Sequence, residues 1–123
     1  MHNLKELKIW HMAMDLSVEV YKATSKFPKE EIYGLTSQIK RSAISIPSNI
    51  SEGAGRNSNK EFIHFLGIAN GSSYELQTQL IISNKLNLIS DETLASLLKP
   101  IEEIQKMTYT FQNTLQKQYL EKA

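Results

Sequence analysis

Four stretches of this chain set apolar residues at steps of four and three, and no stretch of useful length alternates with period two. The first row is Ile9, Ala13, Leu16, Val20, Ala23 and Phe27; the second is Ile32, Leu35, Ile39, Ala43, Ile46 and Ile50. Phe62, Leu66, Ala69, Ser73, Leu76 and Leu80 make the third. The fourth runs through Leu94, Leu97, Leu98, Ile101, Ile104, Thr108, Phe111 and Leu115. Such spacing keeps one face of an α-helix apolar. A chain of 123 residues has room for one core shared by four helices. Short connections make successive helices antiparallel. The chain therefore predicts an all-α, up-down-up-down antiparallel four-helix bundle, one domain over residues 1–123.

The boundaries follow from local chemistry. The first helix should run from Leu4 or Leu7 to Lys26, because Phe27 precedes Pro28 and resists the helical region. Glu30 and Glu31 suit the start of the second helix through its dipole, and Gly53 with Gly55 should supply its stop. Ser58 and Glu61 have capping-box spacing for the third helix, which should close between Asn84 and Asn87. Ser90 is a good N-cap for the fourth. Pro47 and Pro100 fall inside continuous apolar rows and predict kinks in their helices, not breaks.

The second helix carries a polar row, Arg41, Ser45, Asn49, Glu52 and Arg56, beside its core row. The third helix returns antiparallel around Gly55, which should bring Arg41 to Glu75 as a charge-assisted pair. Asn49 and Glu52 would complete the polar contacts nearer the turn. On the first helix Trp10, Met14, Val18 and Tyr21 form a second apolar row, well apart from the core row. A rim helix of a monomeric bundle needs only one apolar stripe. Either a kinked bundle buries both faces of this helix, or the second face is a subunit interface in a homo-oligomer.

No apolar run approaches the ~18 residues of a membrane span, and the N-terminus lacks the apolar segment of a signal peptide. With no cysteine, disulfides and thiolate metal sites are excluded; a cytoplasmic protein that touches no membrane is expected. Net charge is +1, with nine Lys and Arg against six Asp and Glu through Lys60 and five against seven after it. Such a balance argues against a strong nucleic-acid footprint over the whole surface. Lys40, Arg56 and Lys60 are the cations best placed to meet phosphate, with Lys5 and Lys8 as additions.

No catalytic residue is expected. The serines at 42, 45, 48 and 51 lie on a helix without a matching base, where packing or backbone bonding is the ordinary role. The glycines at 53 and 55 form no nucleotide fingerprint because no strand precedes them, so no cofactor is expected. Glu61 and His64 have the Glu-x-x-His spacing of di-iron bundles. Such sites need two of these motifs and two more inward glutamates, and no metal is expected.

Several motifs appear in order: Trp10-x-x-Ala13, Phe27-Pro28-x-Glu30, the long run from Gln38 through Pro47 and Glu52-Gly53-x-Gly55 to Arg56, and Ala69-x-Gly71-Ser72-x-x-Glu75-Leu76. Together they resemble the bacterial four-helix bundle family encoded in intervening sequences of 23S rRNA genes. The accessory variability protein of diversity-generating retroelements is similar. The resemblance implies a four-helix bundle assembled as a homo-oligomeric ring, a pentamer. Two classes of function follow. One is a ring-shaped adaptor for RNA or a nucleic-acid enzyme; the other is a protein-only scaffold or accessory protein.

Overall fold

A computed structural model describes residues 2–122 of the chain. The four α-helices are α1 (Lys8–Thr24), α2 (Leu35–Ala54), α3 (Asn59–Lys85) and α4 (Asp91–Lys122), with no strand among the described residues. Short 3-10 turns at Leu4–Glu6 and Lys29–Glu31 precede α1 and α2. The helices pair antiparallel in chain order. Ser17 meets Ala43 and Tyr21 meets Lys40 across α1 and α2, and Ser45 meets Ser72 across α2 and α3. Asn59 meets Gln118 at one end of α3 and α4, and Asn84 meets Asp91 at the other.

The four apolar rows meet in one core. Ile39, Ile46, Ile50, Phe62, Leu66, Leu76, Leu80 and Ile101 lose all solvent contact. Each such side chain contributes on the order of 1.5–3 kcal/mol by leaving water. Ile32 is the exception, 49% exposed. The second row was expected to begin there, but α2 starts only at Leu35 after Gly34, so Ile32 lies on the approach and off the helical face. Of the acidic pair, Glu31 serves the helix start: its Oε2 accepts the Leu35 N–H at 3.3 Å.

The ends of α3 and α4 are capped as their sequences suggest. Ser58 Oγ accepts the Glu61 N–H at 3.2 Å and donates to the Glu61 carboxylate at 3.1 Å, while Ser90 Oγ accepts the Thr93 N–H at 3.1 Å. Asn87, at φ 62°, sits in the left-handed region. The Asn87 N–H reaches Asn84 O and the Leu88 N–H reaches Ser83 O. That is a Schellman closure with asparagine at the position glycine usually takes. Gly55 supplies the stop expected of it, though without a left-handed φ, whereas Gly53 does not. Gly53 lies within α2, and Gly55 caps the helix at φ −80°. Gly53 is required by space, since a Cβ there would fall 2.7 Å from a Phe62 ring carbon and 2.9 Å from Phe65 Cβ.

Both prolines lie inside unbroken helices. At Pro47 the missing N–H is one that Ala43 O would otherwise accept. The Ser17 hydroxyl of α1 stands in, 3.1 Å from Ala43 O and 2.9 Å from Ala13 O, with its single proton shared between the two. The N-terminal segment then crosses the far end of the bundle. The His2 N–H donates to Ala54 O at 3.0 Å, and the His2 ring packs edge-on against Phe62 and Phe111.

Two stability changes follow. Gly53→Ala destabilises the fold by about 1–3 kcal/mol through overpacking against Phe62, although alanine is the better helix former. Ser17→Ala costs about 1–3 kcal/mol by orphaning a buried carbonyl, and this cost shrinks in a Pro47→Ala background, where an N–H returns. Urea unfolding of the double-mutant cycle measures that coupling; additivity within error would disprove it.

Candidate functional site

The polar row of α2 divides its work between neighbours. Asn49 Nδ2 donates to Ser45 O at 2.8 Å and to Ser45 Oγ at 2.9 Å, and Ser45 Oγ lies 2.8 Å from Ser72 Oγ on α3. This chain of small groups pins α2 against α3. Glu52 turns the other way, to Arg56 in the connection beyond α2, 2.8 Å apart. Arg56 also reaches Glu61 at 3.7 Å and lies over the Phe65 ring, 4.8 Å from its centre.

The expected Arg41–Glu75 pair does not form: among the described residues neither side chain has an ion-pair partner, and both are exposed. The physical reason is their position on the rim. Ser45 and Ser72 occupy the close seam between the helices. One turn away, Arg41 and Glu75 project into water, where aligning two long side chains gains little.

The cations expected to meet phosphate differ in how free they are. Arg56 is committed to two carboxylates and a ring. Lys40 lies over the Tyr21 ring, its Nζ 4.8 Å from the centre. Lys60 is exposed and has no ion pair among the described residues.

The second face of α1 is not uniform. Trp10 is half-buried and packs against the core, and Met14 is half-buried. Val18 and Tyr21 remain 54% and 42% exposed. Sequence reasoning missed Ile44, 43% exposed on α2, which joins them in an open groove of about 470 Å³ floored by Ser17. Its signal was an isoleucine one position past Ala43, off the core row. On the far side of the bundle Ile68 and Tyr74 of α3 and Tyr109 of α4 are exposed. Between them Gly71 stands in the middle of a 27-residue helix, with nothing within 4 Å of the place its Cβ would take. A helix-interior glycine is about 0.8–1 kcal/mol worse than alanine, and no contact within the chain explains it.

The groove between the N-terminal segment and α4, about 400 Å³, offers Glu6, Lys8 and Lys106 around Leu7, Met107 and Phe111, with no nucleophile beside a base. Glu61 is taken by Ser58 and Arg56, while exposed His64 packs against Phe65. Among the described residues no group of three or more His, Cys, Asp or Glu could hold a metal, and no helix is long and apolar enough to cross a membrane.

The fold and its surfaces define a helical bundle whose distinctive features lie on its outside. The chain belongs to the 23S rRNA-intervening sequence protein family, whose sequence model matches residues 5–110. Its fold is similar to the crystal structure of a protein of unknown function from the S23 ribosomal protein family of Bacteroides thetaiotaomicron. The TM-score is 0.76 at 24% identity, covering 84% of this chain and 96% of that one. No curated protein matches the chain in sequence.

The Arg56 contacts yield a modest expectation. Arg56→Ala lowers stability by no more than about 1 kcal/mol, because both ion pairs are solvent-screened and the ring contact is shallow. Thermal unfolding at low and high salt checks it; a loss comparable to Gly53→Ala would mean the pair is shielded after all.

Proposed function

We propose that this chain is a non-enzymatic bundle that assembles with copies of itself into a ring, a pentamer by family resemblance. The ring serves in the cytoplasm as an adaptor for RNA or a nucleic-acid enzyme. The observation that carries self-assembly is the exposed apolar groove of Val18, Tyr21 and Ile44. Contiguous apolar surface of this kind marks a contact. The adaptor role draws on membership of a family named for rRNA intervening sequences, and on the resemblance of its motifs to the retroelement accessory protein.

One subunit neutralises few phosphates with Lys40, Arg56 and Lys60. A ring repeats the same cations around one axis and adds their effects. The commitment of Arg56 to Glu52 and Glu61 favours the second reading, a protein-only scaffold or accessory protein.

Light scattering should return a mass several times that of the 14.0 kDa subunit. Titration of structured RNA and duplex DNA at two salt concentrations should show binding that collapses as salt rises and ignores base sequence. A Lys40→Ala, Arg56→Ala, Lys60→Ala triple variant of unchanged mass should bind at least tenfold more weakly. Absence of wild-type binding at low salt overturns the adaptor and leaves the scaffold. A monomer at micromolar concentration overturns both.

A further inference from the structure

Helices α3 and α4 leave a groove of about 430 Å³ on the outside of the bundle. It is lined by Asn70 and Tyr74 of α3 and by Glu102, Gln105, Lys106 and Tyr109 of α4. The two helices are antiparallel and Gln77 meets Gln105, so Tyr74 and Tyr109, one turn further along, fall at about the same level on the two walls. Both tyrosines are exposed, and neither ring packs against another ring among the described residues. The groove also holds hydrogen-bonding groups that the bundle leaves over. Gln105 is only 9% exposed; its Nε2 donates to Gln77 Oε1 at 2.9 Å, and its own Oε1 has no donor among the described residues. Asn70 Oδ1 accepts the Ser73 hydroxyl at 3.4 Å, while its Nδ2 has no acceptor among them. Buried amides are ordinarily satisfied, so a spare acceptor and a spare donor beside two unstacked rings call for a ligand. Glu102 and Lys106 offset one another at the rim, which suits an uncharged group and not a phosphate.

We propose that the α3–α4 groove holds an unpaired base of a nucleic-acid strand, its face on the tyrosines and its edge toward Gln105 Oε1 and Asn70 Nδ2. The inference rests on the adaptor reading and adds which part of the strand is gripped. Every base has a π-face for stacking and an edge with both a donor and an acceptor. The groove therefore separates unpaired from paired bases and is nearly indifferent to which base it holds. In a duplex those faces and edges are already engaged. Gly71 also gains a purpose. It neighbours Tyr74 on the helix surface, and with nothing within 4 Å of its missing Cβ it leaves that side of the ring open to a strand.

Titrations at fixed salt test the site, comparing wild type with Tyr74→Ala and Tyr109→Ala on an unpaired oligonucleotide and on a duplex of the same composition. The unpaired strand carries a fluorescent aminopurine, whose emission falls when it stacks. Both tyrosines are exposed, so each variant should keep wild-type helicity by circular dichroism and wild-type mass by light scattering. Wild type should prefer the unpaired strand and quench the label. Each alanine variant should bind that strand about tenfold more weakly, with the quench lost and duplex binding unchanged. Tyr74→Phe and Tyr109→Phe keep the rings and should bind as wild type does. Free adenosine monophosphate should compete only in large excess; competition at equal concentration gives the groove to a free nucleotide and overturns the strand. Unchanged strand binding in both alanine variants overturns the site, as does equal binding of strand and duplex without quenching. Alanine variants that lose assembly place the tyrosines between copies and overturn it too. A wild type that binds neither nucleic acid removes the adaptor reading and this site together, a result distinct from the others.

Discussion

Pro47 withholds one N–H from α2, and the position of α1 depends on how that loss is met. The Ser17 hydroxyl reaches the carbonyl of Ala43 from the neighbouring helix at 3.1 Å. A buried carbonyl without a donor costs about 1–3 kcal/mol, so the contact discriminates strongly between possible registers of α1 on α2. A shift by one helical turn would withdraw the hydroxyl and leave the carbonyl bare. The register that satisfies Ala43 also places the next residue of each helix, Val18 and Ile44, beside the same seam on the outside. The apolar groove is thus a geometric consequence of a proline placed in the opposite wall.

The other flank of α2 is set by different means. Ser45, Asn49 and Ser72 form a short chain of hydrogen bonds across to α3, and Gly53 lets Phe62 approach closer than any Cβ would allow. Small polar groups and one missing side chain thereby lock the α2–α3 hairpin at two heights. Ser45, Asn49 and Ser72 are occupied with one another, which makes them part of the packing between the two helices. The same engagement separates Arg56 from Arg41. Arg56 has carboxylates within reach on α2 and α3, whereas Arg41 has no ion-pair partner among the described residues.

The helical rows were legible because burial repeats with the helix period, and the core residues of α1 to α4 follow them almost without exception. The caps at Ser58 and Ser90 were legible for a similar reason, as a hydroxyl three residues before an N–H has few other uses. What failed to show lies where periodicity ends. Ile32 continues the row on paper, but the path of the loop through Gly34 decides where the helix begins. Of the two glycines read as a stop, Gly55 does cap α2, at an ordinary helical φ, while Gly53 answers to a ring on another helix. Spacing brought Arg41 and Glu75 to the same level of the bundle. It could not say whether two long side chains would converge there, because in water the gain is too small to fix them. Ile44 escaped notice because a single isoleucine off the core row is ordinary; it acquires meaning only beside Val18 and Tyr21, across a seam that sequence does not display.

A net charge of +1 conceals how the charges are arranged. They are mixed along the helices: α1 carries Lys8 and Lys22 against Asp15 and Glu19, and α3 carries Lys60 and Lys85 against Glu61 and Glu75. A near-neutral protein with randomly mixed charge has little to orient one copy on another. Charge is therefore not what distinguishes one side of this bundle from another; the apolar groove of Val18, Tyr21 and Ile44 and the bare backbone at Gly71 are. Apolar area supplies the strength of a contact there and surface shape supplies its direction. The two together distinguish an ordered assembly from the indiscriminate association that exposed isoleucines and tyrosines would otherwise cause.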